Sequence, residues 1–568
     1  MRLKKLKKIG KQWRFYVVTA IFLLIASFIF WRLYSLQILK HAEFSQKAAA
    51  QIRASEQIKN NLQYLRGSIF FQDKEGNLIP VAVNKTFYEV FVVPKELEDK
   101  VAVAKFFSQK YNLSYEDLMV KFSKTNSLYE PILKKIEVDD YRLIQKENFK
   151  GVYLKEYIGR YYPYQKFASQ LLGYVKNDVN DFHGQYGLEK YYDKYLSNQK
   201  FSNNIIDFLS LDNLLYKRNN YDVIASIDFN IQKKSEDLLA DYVKKWEAEG
   251  GSVVVMDPRS GKVLALANYP NFDPNNYWEY DLSFFDNPVV QYVYEPGSVF
   301  KIITVAAGLD SKRITPKTEY YDNGEVVVNG KKIQNWDLKA HGLVNVYEII
   351  ANSLNTGAAF LEKLIGHDIF HQYVLKFGFD EKTGIDLPNE VSGNISNLKS
   401  FNDIYFATAS FGQAISVTPI EMINAFAAIA NNGKMMKPFV VEKIVNTEGE
   451  EKIINKPTVK KEVIQEETAQ QLRIIMTYSV DKNQLAAIKG YQIAGKTGTA
   501  QVPLKGGGYS STETIQSFIG YAPAENPQFV ILVKLNKPKA PLAGQTVVPM
   551  FKELTQFILN YYEIAPTF

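Results

Sequence analysis

An α+β fold is expected for this 568-residue chain, with an antiparallel sheet packed against helices behind a separate N-terminal part. Three observations predict it. Strand-like runs stand at both ends of the C-terminal region, over 222–267 and 491–533, with helical periodicity between them. Residues 84–215 read differently, as short strands mixed with charged helices, so the character of the chain changes near Asp222. Phe15–Trp31 is a run of seventeen residues without a charge. The length also exceeds one ordinary core, so at least two domains are expected.

Residues 1–40 carry nine Lys/Arg and no Asp/Glu. The basic cluster Arg2, Lys4, Lys5, Lys7, Lys8, Lys11 and Arg14 precedes the apolar run, which fits one transmembrane helix over 15–39, extended by Arg32 snorkelling. No small-x-small cleavage site follows, which argues against a signal peptide. By the positive-inside rule, residues 1–14 are a cytoplasmic tail and everything after about residue 40 lies outside a cell membrane crossed once. An N-terminal domain is expected over 40–215 and the main domain over 222–568, with the boundary at 206–222.

Further along, Arg66–Ile79 reads as two strands around a turn, Pro94–Lys110 and Tyr115–Phe122 as helices, and Val223–Asp228 as a strand. Ile231–Ala248 is a long amphipathic helix, and Gly251–Met256 and Lys262–Ala267 form a hairpin around a Ser-Gly turn. Tyr491–Val502, Ser517–Ala522 and Phe529–Val533 are later strands, and Val548–Tyr562 a closing helix.

Composition excludes several chemistries. The chain has no cysteine, which removes disulfides, thiolate nucleophiles and Cys-ligated metal, and a metal site or other cofactor is not expected from its five histidines. The net charge of +7 is a terminal feature: of 68 basic residues, nine lie in 1–40, leaving 59 against 61 acidic ones. No nucleic-acid-binding face is implied.

The chemistry centres on Ser298 and Lys301. Three apart on a helix, they share a face, and a serine needs a base within reach to act as a nucleophile. Pro296-Gly297 reads as the turn feeding that helix, whose buried body is Val299–Ala307. Ser-x-x-Lys alone is weak, because it recurs at Ser197/Lys200, Ser396/Lys399 and Ser479/Lys482. A second element, Ser353-Leu354-Asn355, lies where one helical pattern (346–351) stops and another (358–365) begins. Ser-x-Asn recurs at Ser202, Ser392 and Ser400. The third is Lys496-Thr497-Gly498-Thr499, on a strand flanked by glycines that lets a peptide approach by strand addition, with a cation and hydroxyls for a carboxylate. Lys382-Thr383-Gly384 repeats the triplet in a polar turn and reads as structural.

The ordered set Ser298-x-x-Lys301, Ser353-x-Asn355, Lys496-Thr497-Gly498 resembles the active site of penicillin-binding proteins and serine β-lactamases. Flanking words sharpen the resemblance to class B penicillin-binding proteins: Arg66-Gly67-x-Ile69, Gly187-Leu188-Glu189 with Tyr192-Asp193, Asp257-Pro258-x-x-Gly261, Pro270-x-Phe272-Asp273-Pro274-Asn275, Ser410-Phe411-Gly412-Gln413 and Ala430-Asn431-Asn432-Gly433. The resemblance implies an elongated pedestal of the dimerisation type and a transpeptidase domain. It implies Ser298 as nucleophile on the D-Ala-D-Ala carbonyl of a peptidoglycan stem peptide, Lys301 as base and Ser353 as proton relay. Asn355 would hold the donor backbone, and Lys496, Thr497, Gly498 and Thr499 would bind its carboxylate. The backbone N–H groups of Ser298 and Thr499 would form the oxyanion hole. β-Lactams would be covalent inhibitors, and a membrane-embedded glycan polymerase and other division or elongation proteins would be partners. Length leans toward the septal type. A D,D-carboxypeptidase or β-lactam hydrolase shares these motifs, and a non-catalytic division scaffold is the alternative of another class.

Overall fold

The computed structural model describes residues 3–34, 65–176, 183–197, 220–400, 402–446, 448–484, 486–504 and 506–568. Leu3–Tyr34 is one helix, α1. Its described side chains, 16–32 and 34, are all exposed. Among the described residues no helix is long and apolar enough to cross a membrane; the expected span of 15–39 runs beyond them. Most of the expected 206–222 boundary also lies outside the described residues.

Residues 65–568 form one compact unit. It begins with β1 (Ile69–Gln72) and β2 (Leu78–Val92), the two strands expected around a turn. The Asp73 carboxylate makes that turn by accepting from the Glu75 and Asn77 N–H groups and from Asn77 Nδ2. Next come α2 (Lys100–Tyr111), α3 (Tyr115–Ser123), β3 (Glu130–Ile136), α4 (Val138–Glu147) and β4 (Val152–Tyr161). Asp99 and Ser114 cap α2 and α3 with their side chains, so Pro94–Glu98 stays outside the helix expected from residue 94.

A buried ionic cluster holds this region together. Glu189 accepts from Arg66 Nε and Nη2 at 3.1 and 2.9 Å, and from Arg160 Nε at 2.6 Å. Arg66 Nη1 reaches Asp193 Oδ1 at 2.7 Å, and Arg160 Nη1 donates to Gly67 O at 2.8 Å. Both guanidinium groups and Glu189 are removed from solvent. Three separated sequence words therefore meet at one point, joined by Arg160, which no sequence pattern singles out.

The main domain opens with β5 (Tyr221–Asp228), α5 (Phe229–Lys245) and the hairpin β6 (Gly250–Met256) and β7 (Val263–Tyr269). Asp228 caps α5 by accepting from the Asn230 and Ile231 N–H groups. The helical middle includes α6 (Lys301–Asp310), α7 (Val346–Ala351), α8 (Asn355–Ile365), α9 (His367–Lys376), α10 (Asp403–Ala409) and α11 (Pro419–Ala430). Between α6 and α7, short strands over 319–345 pair two by two. The closing elements are β8 (Val441–Asn446), β9 (Glu451–Ile454), α12 (Glu466–Asn483), β10 (Ala494–Pro503), β11 (Tyr509–Ala522), β12 (Phe529–Asn536) and α13 (Val547–Tyr561).

Two sheets organise the unit. The five-stranded one runs β10-β11-β12-β6-β7, antiparallel throughout, with β10 at an edge. Alternation assigns its faces. Val253 and Val255 of β6 pack with Leu238 and Leu239 of α5 and Phe551 and Leu554 of α13. Val254 and Met256 pack with Ile302 and Ile303 of α6 and Ile423 and Phe426 of α11. Helices therefore cover both faces, which is why β6 is buried along its whole length. The second sheet runs β9-β8-β5-β1-β2-β3, with β4 on β2. Within it β1 of the N-terminal region pairs parallel to β5 of the main domain, and β5 pairs antiparallel to β8.

Candidate active site

Pro296 starts a single 3₁₀ turn, Gly297–Phe300, which continues into α6 at Lys301. Gly297 has φ of +61°, and its N–H donates to Gly412 O at 3.0 Å. A Cβ there would lie 3.0 Å from Ala500 Cβ of β10, so glycine lets the turn approach the strand edge. Ser298 is half-buried on this turn, and Lys301 is fully buried.

Lys301 is the centre of the polar contacts. Its Nζ donates to Ser353 O at 2.6 Å and Asn355 Oδ1 at 2.8 Å, and lies 3.3 Å from Ser353 Oγ. Lys496 Nζ, on β10, approaches from the other side: it is 3.0 Å from Ser353 Oγ and 3.1 Å from both Thr497 O and Thr497 Oγ1. Ser353 Oγ thus stands between two amines. Burial pushes the Lys301 pKa well below that of an ordinary lysine, and the charge of Lys496 pushes it further. Burial alone lowers Lys496 to about 7.

The loop carrying Ser353 is strained and braced. Ser353 has φ of +57°, a left-handed conformation that a non-glycine residue keeps only where its surroundings enforce it. Leu354 N–H donates back to Ile349 O, closing α7. Asn355 Nδ2 donates to Gln334 O at 2.9 Å. One residue on, Thr356 Oγ1 reaches Asp322 Oδ1 at 2.7 Å and Asn335 Oδ1 at 2.9 Å, and Asn335 Nδ2 donates to Asp322 Oδ2 at 2.8 Å. All three are buried. This triad fixes the start of α8, and hence Asn355, against the 319–345 strands. Trp336, more than half exposed, donates from Nε1 to Asn352 O at 3.0 Å on the same shoulder. None of Asp322, Asn335 or Trp336 has a sequence signal of its own, because their pairing spans a loop of unremarkable composition.

The structure brings Ser298, Lys301, Ser353, Asn355 and Lys496–Thr499 to one cleft, with Thr497 and Thr499 half-buried on β10. Gly498 faces the serine turn: a Cβ there would lie 2.5 Å from Ser517 Oγ and 3.0 Å from Pro296 O. Gly498→Ala should therefore shift the strand edge, at a cost of about 1–3 kcal/mol. Thermal unfolding of the variant checks this, and an unchanged midpoint would show that the edge has slack.

The repeated motifs separate cleanly. Ser396 and Lys399 are both exposed, and Ser479 is buried while Lys482 is exposed. Lys200 and Ser202 lie outside the described residues, and Ser197 Oγ donates to Asp193 O. Asn394 pairs with Ser416, and Asn402 caps α10. Thr383 is buried, donating from both N and Oγ1 to Glu390 Oε1, so the second Lys-Thr-Gly is a turn wrapped around a carboxylate.

A serine on a helix-starting turn, a buried amine three residues along the same turn and a strand at a sheet edge define a serine acyl-transfer cleft on an α+β frame. The chain belongs to the class B penicillin-binding proteins: residues 251–556 match the penicillin-binding protein transpeptidase domain and residues 63–206 the penicillin-binding protein dimerisation domain. Stage V sporulation protein D of Bacillus subtilis is 32% identical over 520 residues, covering 88% of this chain and 79% of that protein. A peptidoglycan D,D-transpeptidase FtsI homolog from Mesostigma viride is 28% identical over 601 residues, covering 99% and 98%. Among solved structures, penicillin-binding protein 3 of Mycobacterium tuberculosis in its apo form superposes with a TM-score of 0.65 at 27% identity, over 72% of this chain and 92% of that one.

Proposed function

We propose that this protein cross-links peptidoglycan as a serine D,D-transpeptidase, with septal synthesis as its setting. The observation that carries the reading is the buried pair of amines around Ser353, with Lys301, whose basicity burial and the charge of Lys496 both lower, three residues from Ser298. Ser298 Oγ gives its proton to neutral Lys301 and attacks the carbonyl between the two terminal D-alanines. The C–N bond breaks, Ser353 relays the proton from Lys301 to the departing D-Ala amine, and an acyl ester remains on Ser298 with Lys301 neutral again. A side-chain amine of a second stem peptide then attacks the ester, forming the new amide and returning the proton to Ser298. Asn355 holds the donor backbone, Lys496, Thr497 and Thr499 take its carboxylate, and the N–H groups of Ser298 and Thr499 receive the oxyanion. The open edge of β10 suits a donor peptide bound as an added strand. A β-lactam acylates Ser298 by the same first step.

The proposal extends to placement. Helix α1 exposes apolar side chains over Tyr16–Trp31 without a charge among them, which suits a lipid surround, with the basic first fourteen residues cytoplasmic and the catalytic domain outside. The 40–215 region is read as a pedestal for a membrane-embedded glycan polymerase and associated division or elongation proteins.

The test is covalent labelling of the full-length chain in detergent by a fluorescent penicillin, with and without Ser298→Ala, followed by a donor peptide with and without an amine acceptor. Label that survives Ser298→Ala sinks the site. Hydrolysis indifferent to every amine favours a carboxypeptidase instead.

A pH profile follows from the lysines. Both have folded pKa values depressed below 10.5, so each is neutral above its folded pKa and charges as the pH falls through it. Acylation should decline on the acid side as Lys301 protonates. In Lys496→Met the electrostatic push on Lys301 is gone, so the acid limb should move to higher pH. A limb that stays in place would show that Lys496 does not tune the base.

A further inference from the structure

Glu295 stands three residues before Ser298, and its side chain joins three separate segments. Oε1 accepts from the Ala414 N–H at 3.1 Å and from Tyr509 Oη at 3.3 Å. Tyr509 is the first residue of β11 and pairs with Pro503 at the far end of β10, so it sits at the base of the hairpin tip whose other strand carries Lys496–Thr499. Ala414 belongs to the turn over 412–417, which runs beside the approach to the nucleophile: Tyr294 and Val417 exchange N–H···O bonds at 2.9 Å, and Gly297 donates to Gly412 O. Ala414 itself has φ of +60°, so its N–H is held in a strained turn that the carboxyl caps.

The second carboxyl oxygen, Oε2, is buried and has no hydrogen-bond partner among the described residues. A carboxylate carrying full charge there is costly, and a neutral carboxyl is much less so. Burial pushes the Glu295 pKa up to about 7, against the opposing hydrogen bonds from Tyr509 and Ala414. The titratable group facing it from the hairpin is Tyr509, raised by burial and by Glu295 itself. The 412–417 turn carries no ionisable side chain; on the segment of Glu295 itself the ionisable neighbours are Tyr294, raised by burial, and Lys301 further along.

We propose that Glu295 is a positioning residue for acyl transfer: bridging the nucleophile turn, the 412–417 turn and the β10–β11 hairpin, it fixes the gap between Ser298 and the strand edge that receives the donor peptide. The proposal rests on the transpeptidase reading of this cleft. The bridge works with a neutral side chain. Because the folded pKa is raised above that of a free carboxyl, the neutral bridge is complete at low pH and is lost as the pH rises through about 7. Ionisation puts an unpaired charge in the clasp, and the hairpin moves away to hydrate it. Glutamine keeps the Oε1-type acceptor and stays neutral at every pH; alanine removes the bridge.

The experiment measures the second-order rate of acylation by a fluorescent penicillin on the full-length chain in detergent, for the parent, Glu295→Gln, Glu295→Ala and Tyr509→Phe, from pH 6 to 8. Labelling of the parent that vanishes in Ser298→Ala first establishes the cleft; failure there condemns the transpeptidase reading rather than Glu295. Misplacement of the strand edge should cost Glu295→Ala about tenfold, mostly as weaker penicillin binding, while Glu295→Gln stays within about twofold at pH 6. Because Lys301 and Lys496 titrate alike in parent and glutamine variant, their ratio isolates Glu295, and it should fall as the pH rises from 6 to 8. Tyr509→Phe should lie between parent and alanine. An alanine variant within about twofold of the parent, or a parent-to-glutamine ratio that stays flat across this range, overturns the proposal. If alanine fails to fold, the glutamine ratio still decides.

Discussion

Lys301→Met should acylate with a fluorescent penicillin about 10³-fold more slowly than the parent, a loss of the size expected for removing a positioned general base. The side chain that replaces the lysine is of similar length and apolar, so the cleft stays filled. What goes is the amine that Ser353 O and Asn355 Oδ1 accept from. Those two acceptors lose their donor, which should cost about 1–3 kcal/mol of stability, small enough for the variant to remain folded. Raising the pH should not restore the rate, because the defect is a missing base rather than a protonated one. Acylation rates measured at pH 7 and 9 alongside thermal unfolding check both parts. A methionine variant that labels at the parent's rate would show that the proton of Ser298 leaves by another route.

Glu189→Ala should destabilise the protein by about 3–5 kcal/mol, the usual cost of leaving buried charge uncompensated. Arg66 and Arg160 both lose their carboxylate partner while remaining buried, and Asp193, at 2.7 Å from Arg66, can offset only one of them. Glu189→Gln should fall between, since it keeps an acceptor and loses the charge. Denaturant unfolding of the full-length chain measures it, with retained penicillin labelling in native buffer as the sign that the damage is to stability. A loss under 1 kcal/mol would mean that water reaches the guanidinium groups when the partner is removed.

How much of this was legible in the residues follows from how local each signal is. The hairpin of β6 and β7 could be read because Asp257, Ser260 and Gly261 make a turn whose chemistry is local, as the Ser260 Oγ–Asp257 Oδ2 bond at 2.7 Å shows. Helix α5 was legible from its apolar stripe, with its start misjudged by two residues because the capping aspartate, Asp228, also ends a strand. The cleft residues were legible as an ordered set only. Ser298/Lys301 differs from the described repeats, Ser396/Lys399 and Ser479/Lys482, in the burial of its lysine, and burial is set by α6, α7 and α8 together, not by the four-residue word. Long-range pairings left no trace in sequence. Glu295 sits within the nucleophile's own segment, yet its partners lie 119 and 214 positions away. The Asp322–Asn335–Thr356 bracing and Arg160's place beside Glu189 are of the same kind.

The mixed sheet has one more consequence. Strand β1 comes from the N-terminal region, and its neighbour β5 leads directly into α5 and then the β6–β7 hairpin at one side of the other sheet. A continuous ladder therefore crosses from one region to the other, where a flexible tether would have allowed the two to swivel. Tension applied to residues 84–161 loads the short β1–β5 ladder and is delivered to the strand that leads into α5. The two regions should consequently melt in a single cooperative step, and whatever grips that segment holds the catalytic frame by a rigid handle.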